Sequence, residues 1–153
     1  MYSKAHVKEL TSLFWTSFGK YMGKHTPKYQ KNTKWVNYRT GVKSVYLRLR
    51  ADKKSCEIAI EIQNPEDSVR QLFYEQFLEL KKVFESTAGE WIWEPKYFNE
   101  FGHEISKIYL QKSAVHLYIQ DTWKDMFQFY EQHIVDFDEF WSEFNEILKQ
   151  LED

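Results

Sequence analysis

The chain has 153 residues, 29% of them charged and 18% aromatic, with a net charge of −2. That length predicts one domain, residues 1–153, able to bury roughly 68–70% of its unfolded surface, and the aromatic content excludes intrinsic disorder. No apolar run exceeds three residues, which excludes a membrane span and a secretory signal core.

Ser3 is placed to cap a first helix whose Val7, Leu10, Phe14, Phe18 and Tyr21 share one side, and Gly23 ends it. From 23 to 34 the chain is a basic loop containing Pro27 and no apolar periodicity, and it is expected to be mobile. Trp35 to Arg39 reads as a short edge strand, turned back by Thr40-Gly41.

The most regular stretch follows. Val45, Leu47 and Leu49 alternate with Tyr46, Arg48 and Arg50, and beyond Ala51-Asp52-Lys53-Lys54 the residues Cys56, Ile58, Ile60 and Ile62 alternate with Glu57, Ala59, Glu61 and Gln63. Period two predicts a half-buried hairpin. A turn centred on Asp52-Lys53 would set Val45 against Ile60, Leu47 against Ile58 and Leu49 against Cys56, with Arg48 opposite Glu57. Cys56 is the single cysteine; on the apolar face it is expected to be a buried, inert thiol, as suits a reducing cytosol.

Asn64-Pro65-Glu66-Asp67 starts a central helix with Val69, Leu72, Phe73, Phe77, Leu80, Val83 and Phe84 at helical spacing and Gly89 as its stop. Trp91 to Glu94 forms a strand that Pro95 ends or confines to an edge, and Asn99 to His103 is a loop around Gly102. Ile108 and Leu110, then Val115, Leu117 and Ile119, predict a second hairpin around Lys112-Ser113. Asp121 caps the last helical segment, in which Trp123, Phe127, Tyr130, Ile134, Phe137, Trp141, Phe144, Leu148 and Leu151 step by four and three. That stripe packs on its own sheet or serves as the seam of a homodimer. A helix break near Val135 is compatible with the capping-box spacing of Asp136 and Glu139.

The expected fold is α+β, with mainly antiparallel sheet and packed helices in the order α-βββ-α-βββ-α. Ile58–Gln63 resembles Val115–Gln120, and Phe73–Gln76 recurs as Phe129–Gln132, so the second half reads as a degenerate echo of the first.

Charge is the strongest functional signal. Residues 1–51 carry eleven Lys and Arg against the single acid Glu9, while residues 52–153 carry ten against twenty-two acids. Basic residues interleaved with aromatics suit nucleic acid, where cations meet phosphates and rings stack on unpaired bases. The residues that would carry such binding are Lys24, Lys28, Tyr29, Lys31, Lys34, Trp35 and Arg39. The competing reading is that the basic third docks against the acidic remainder of its own chain and neutralises it.

Catalytic patterns are sparse. The five histidines show no paired metal-ligand spacing, and neither a Gly-rich phosphate loop nor a nucleophile motif occurs, so no cofactor and no metal are expected. A weak metal-dependent nuclease is the enzymatic alternative: helix, three strands, helix, strand is the order of the restriction-endonuclease core, and Glu61-Ile62-Gln63 resembles a degraded Glu-x-Lys element. Against it, Glu57 and Glu61 lie ~13 Å apart along one strand, too far for one ion without help, and read as surface partners of Arg48 and its neighbours.

Phe14-Trp15 and Phe18, Trp35-Val36-Asn37-Tyr38 with Gly41, Gln76-Phe77, Trp91-Ile92-Trp93-Glu94 and Phe140-Trp141 together resemble domain of unknown function 4268 over nearly the whole chain. The resemblance implies a companion of restriction-endonuclease-type nucleases and hence a DNA-associated accessory role; it carries no catalytic residue with it. The expectation is a cytosolic, non-enzymatic binding module with an anionic partner, nucleic acid foremost, with a homodimeric interaction domain as the alternative.

Overall fold

Alternation of Cys56, Ile58, Ile60 and Ile62 makes Ser55–Ile62 a strand, β2, and its other face is buried as well. A computed structural model describes residues 2–152, in which β2 is joined by α1 (Lys4–Tyr21), β1 (Val45–Ala51), α2 (Asp67–Glu79), α3 (Lys81–Ala88), β3 (Ile92–Phe98), β4 (Glu104–Ser113) and α4 (Trp123–Lys149). The fold is α+β. Its strands form one antiparallel sheet in the order β1-β2-β4-β3, with β1 and β3 at the edges.

The β1–β2 hairpin keeps the expected faces but shifts its pairs by two residues. Val45 lies opposite Ile62, Leu47 opposite Ile60, Leu49 opposite Ile58 and Arg50 opposite Glu57, while Arg48 faces Ala59. The turn is the cause: Asp52 Oδ1 accepts the Lys54 and Ser55 amides at 2.8 and 2.9 Å, so the reversal spans Asp52–Ser55. An even shift leaves every side chain on its own face.

Helix α2 packs on β2 and β4, α4 packs on β2, and α1 packs on α4. The α4 stripe is used within the chain: Tyr130, Ile134, Phe137, Trp141 and Leu148 are fully buried, each worth roughly 1.5–3 kcal/mol. The helix runs unbroken through Val135. Phe14 and Phe18 of α1 meet Phe127 and Tyr130 at ring-centre distances of 5.2 to 6.4 Å, closing the core from outside.

The strand and helix count differs from expectation in four places. Trp35–Arg39 is not a strand, because Trp35 and Tyr38 turn inward and stack on each other. The central helix breaks at Leu80 into α2 and α3. The second hairpin is β3–β4, closed at Asn99–His103, where the Asn99 side chain accepts the Phe101 and His103 amides; Pro95 stays in β3 because the register slips between Glu94 and Tyr97. Beyond β4 the chain leaves the sheet at Ala114, which has a positive φ of 62°, and Val115–Ile119 is an irregular segment pinned by Trp123 and Thr122. The internal echo therefore pairs a strand with a non-strand at Ile58–Gln63 and Val115–Gln120.

Candidate functional site

The basic segment after α1 is hydrogen-bonded to α4 at several points. Asp138 of α4 is 2% exposed and takes three donors from it: the Lys28 amide at 2.7 Å, the Tyr29 amide at 3.2 Å and the Tyr38 hydroxyl at 2.6 Å. Two turns earlier, Glu131 accepts the Tyr21 hydroxyl at 2.5 Å and lies 2.7 Å from His25 and 3.2 Å from the Lys24 ammonium. That hydrogen bond from Tyr21, then His25 and Lys24, holds the Glu131 carboxyl at about 2. Lys28 reaches Glu139 at 3.3 Å. The half-buried Tyr29 ring packs against Trp141, and its hydroxyl fills the space where a side chain at Gly41 would begin. The periodicity of the loop concealed this docking because its anchors are backbone amides and isolated rings.

The seven residues singled out from sequence thus separate. Lys24 and Lys28 are paired with α4 acids, and Tyr29 is half-buried against α4. Trp35 is 7% exposed and donates its indole N–H to the His25 carbonyl at 3.1 Å, so it offers no open face to a base. Lys31, Lys34 and Arg39 are exposed, and among the described residues no carboxylate lies within 4.0 Å of them.

Arg39 belongs to a second, smaller set. The segment from Thr40 to Ser44 is tied down from several sides: Trp141 donates to the Thr40 carbonyl at 2.8 Å, Lys149 to the Gly41 carbonyl at 2.9 Å, the Thr40 hydroxyl to the Val45 carbonyl at 2.7 Å, and the Lys43 amide to Glu152 at 2.6 Å. Gly41 has a φ of 74°, which glycine adopts without strain. Between this segment and edge strand β1 lies a groove of about 390 Å³ lined by Asn37, Arg39, Lys43, Tyr46 and Arg48 among others and, among the described residues, by no carboxylate. The Arg48 guanidinium lies over the Tyr46 ring at 4.6 Å. Lys43 and Arg48 are two of the cations visible in the basic third; Tyr46 carries no signal of its own, being one member of an alternating strand.

On the face of the sheet away from α2 and α4, Glu57 and Glu61 are buried, not surface partners of Arg48. Glu57 bonds the Lys107 ammonium at 2.8 Å and Arg50 at 3.4 Å, and Glu61 bonds Arg50 and, at 2.7 Å, the Gln63 amide. Lys107 sits between the Tyr97 and Tyr109 rings, 4.1 and 4.5 Å from their centres. This network neutralises both carboxylates, and among the described residues no group of three or more His, Cys, Asp and Glu is placed to hold a metal ion. Around it opens a cleft of about 850 Å³. Cys56, on the opposite face, is buried, and burial pushes its thiol up to about 12.

Among the described residues no helix is long and apolar enough to cross a membrane. No curated protein and no solved structure matches the chain. Residues 10–145 match the family model described as Domain of unknown function (DUF4268), which spans most of the sequence, and the protein belongs to that family.

Proposed function

We propose that the domain is a non-enzymatic binding module for an anionic chain, nucleic acid, and that the groove between Asn37 and Arg48 takes its phosphates. One observation carries this reading. In a protein with more acids than bases, the groove is lined by Arg39, Lys43 and Arg48 and, among the described residues, by no carboxylate, and three cations along one depression attract a polyanion whose condensed counterions they release. Lys31 and Lys34 are exposed as well. A cytosolic setting beside a restriction-type nuclease accords with the resemblance of such domains to companions of those enzymes. Of the eleven cations in residues 1–51, Lys24, Lys28 and Arg50 are paired with the chain's own acids, and among the described residues the others have no carboxylate within 4.0 Å.

A fluorescence-anisotropy titration of a labelled single-stranded oligonucleotide at about 50 mM salt tests it. Saturable binding is expected, with a log-log salt slope near −2 if three cations each neutralise one phosphate at ~0.7 per contact. Changing Arg39, Lys43 and Arg48 together to Gln should abolish that slope. Absence of saturable binding by the wild-type chain would refute the proposal.

A further inference from the structure

The groove does not end at Arg48. Arg48 also lines the cleft on the open sheet face, so the two depressions adjoin at that residue. Their chemistries differ. The cleft carries Arg48, Arg50 and Lys107 against Asp52, Glu57, Glu61 and Glu100, which gives a phosphate no net attraction there. What it does present is ring surface and amide groups. Tyr97, Phe101 and His103 line it, and Phe101 is 74% exposed at the β3–β4 tip, an unusual position for a large apolar ring. Gln63 and Gln111 also line it; each donates its amide nitrogen within the protein, to Glu61 and to Ser55, which leaves the carbonyl oxygen to accept.

Resting on the reading of the groove as a phosphate track, we infer that the cleft receives the bases of the same strand, so that the ligand is an unpaired, base-exposed nucleic acid laid with its phosphates outward along Arg39, Lys43 and Arg48 and its bases inward against Phe101 and Tyr97. Every base has a face to stack, and the polar floor meets base edges without favouring one sequence strongly. A duplex fits poorly. Its bases are enclosed and present no free face to the Phe101 ring.

The test compares three ligands of equal length: a single strand, the same sequence as a duplex, and a single strand of abasic sites with the same phosphates. The wild-type chain should bind the single strand at least about tenfold more tightly than either of the others. Phe101→Ala should weaken single-strand binding roughly 5- to 150-fold, the equivalent of one lost stacked base, and leave the abasic strand's affinity unchanged. Phe101→Tyr should restore it. Equal affinity for the single and abasic strands, with Phe101→Ala without effect, would overturn base seating in the cleft while leaving the groove as a phosphate site. No saturable binding of any of the three would overturn both. Circular dichroism of Phe101→Ala should match wild type, since the ring is largely exposed and lies tilted toward His103 at a centre distance of 6.4 Å.

Discussion

Replacing Asp138 probes how a basic segment is held on an acidic helix. Its two oxygens accept the Lys28 and Tyr29 amides and the buried Tyr38 hydroxyl, and burial together with the hydrogen bond to Asp138 raises the Tyr38 pKa far above the ordinary tyrosine range, so the hydroxyl stays a donor. Hydrogen bonds to a charged acceptor are worth ~1.5–3 kcal/mol each. Alanine orphans three donors, of which the Lys28 amide lies nearest solvent and regains water, so Asp138→Ala should cost about 3–5 kcal/mol. Asparagine keeps one oxygen and turns an N–H toward the other donor; Asp138→Asn should cost about half as much, roughly 1.5–3 kcal/mol. With ~5–15 kcal/mol in total, the alanine variant is marginal and the asparagine variant measurable. Urea denaturation followed by tryptophan fluorescence gives the stability, and amide exchange over residues 26–40 shows whether the segment is released. A loss within about 0.5 kcal/mol for Asp138→Asn, with exchange unchanged, would refute the clamp.

Trp35→Ala should act on stability, not selectively on binding, costing about 3–5 kcal/mol because the ring is buried against Tyr38, and equal weakening of the fold is the reading to check by denaturation before any titration. Leu47→Asp should prevent folding, since it puts an unpaired charge beneath α4, whereas Arg48→Ala should change stability by at most ~1 kcal/mol; a normal melting transition for Leu47→Asp would mean the hairpin faces are reversed. Glu131 has a depressed pKa in the folded state, about 2 against 4.5, so its contribution is fully present above 4.5 and is lost as pH falls toward 2; the stability gap between wild type and Glu131→Gln should close over that window, and a gap independent of pH there contradicts the assigned partners.

The helices, the faces of the β1–β2 hairpin and the burial of the α4 stripe were legible because each rests on local periodicity, which the side chains of α1, β2 and α4 display without reference to distant residues. What was not legible depends on pairing through space. The hairpin register turned on one carboxylate, Asp52, choosing the Lys54 and Ser55 amides. Trp35 and Tyr38 looked like strand residues because an aromatic pair at short spacing reads alike in a strand and in a packed loop; Tyr38 is turned inward by Phe137 and Asp138, about a hundred residues away, and Trp35 stacks on it. Charge segregation was visible in the sequence, but which cations are quenched was not: Lys24 and Lys28 meet Glu131 and Glu139, while Arg39 and Arg48 meet none. Pro95 signalled the end of a strand or an edge position, and β3 is an edge strand; the register slip that accommodates the proline depends on pairing with β4 and was not legible.

The most direct measurement maps amide chemical-shift changes in the isotopically labelled wild-type chain as a single-stranded oligonucleotide is added. The largest changes should fall on Asn37–Arg48 and on the β3–β4 tip around Phe101, with those on α3 and on the exposed side of α1 near zero. Changes confined to residues 24–34, or spread evenly over the surface and lost at about 200 mM salt, would contradict the assignment of the groove.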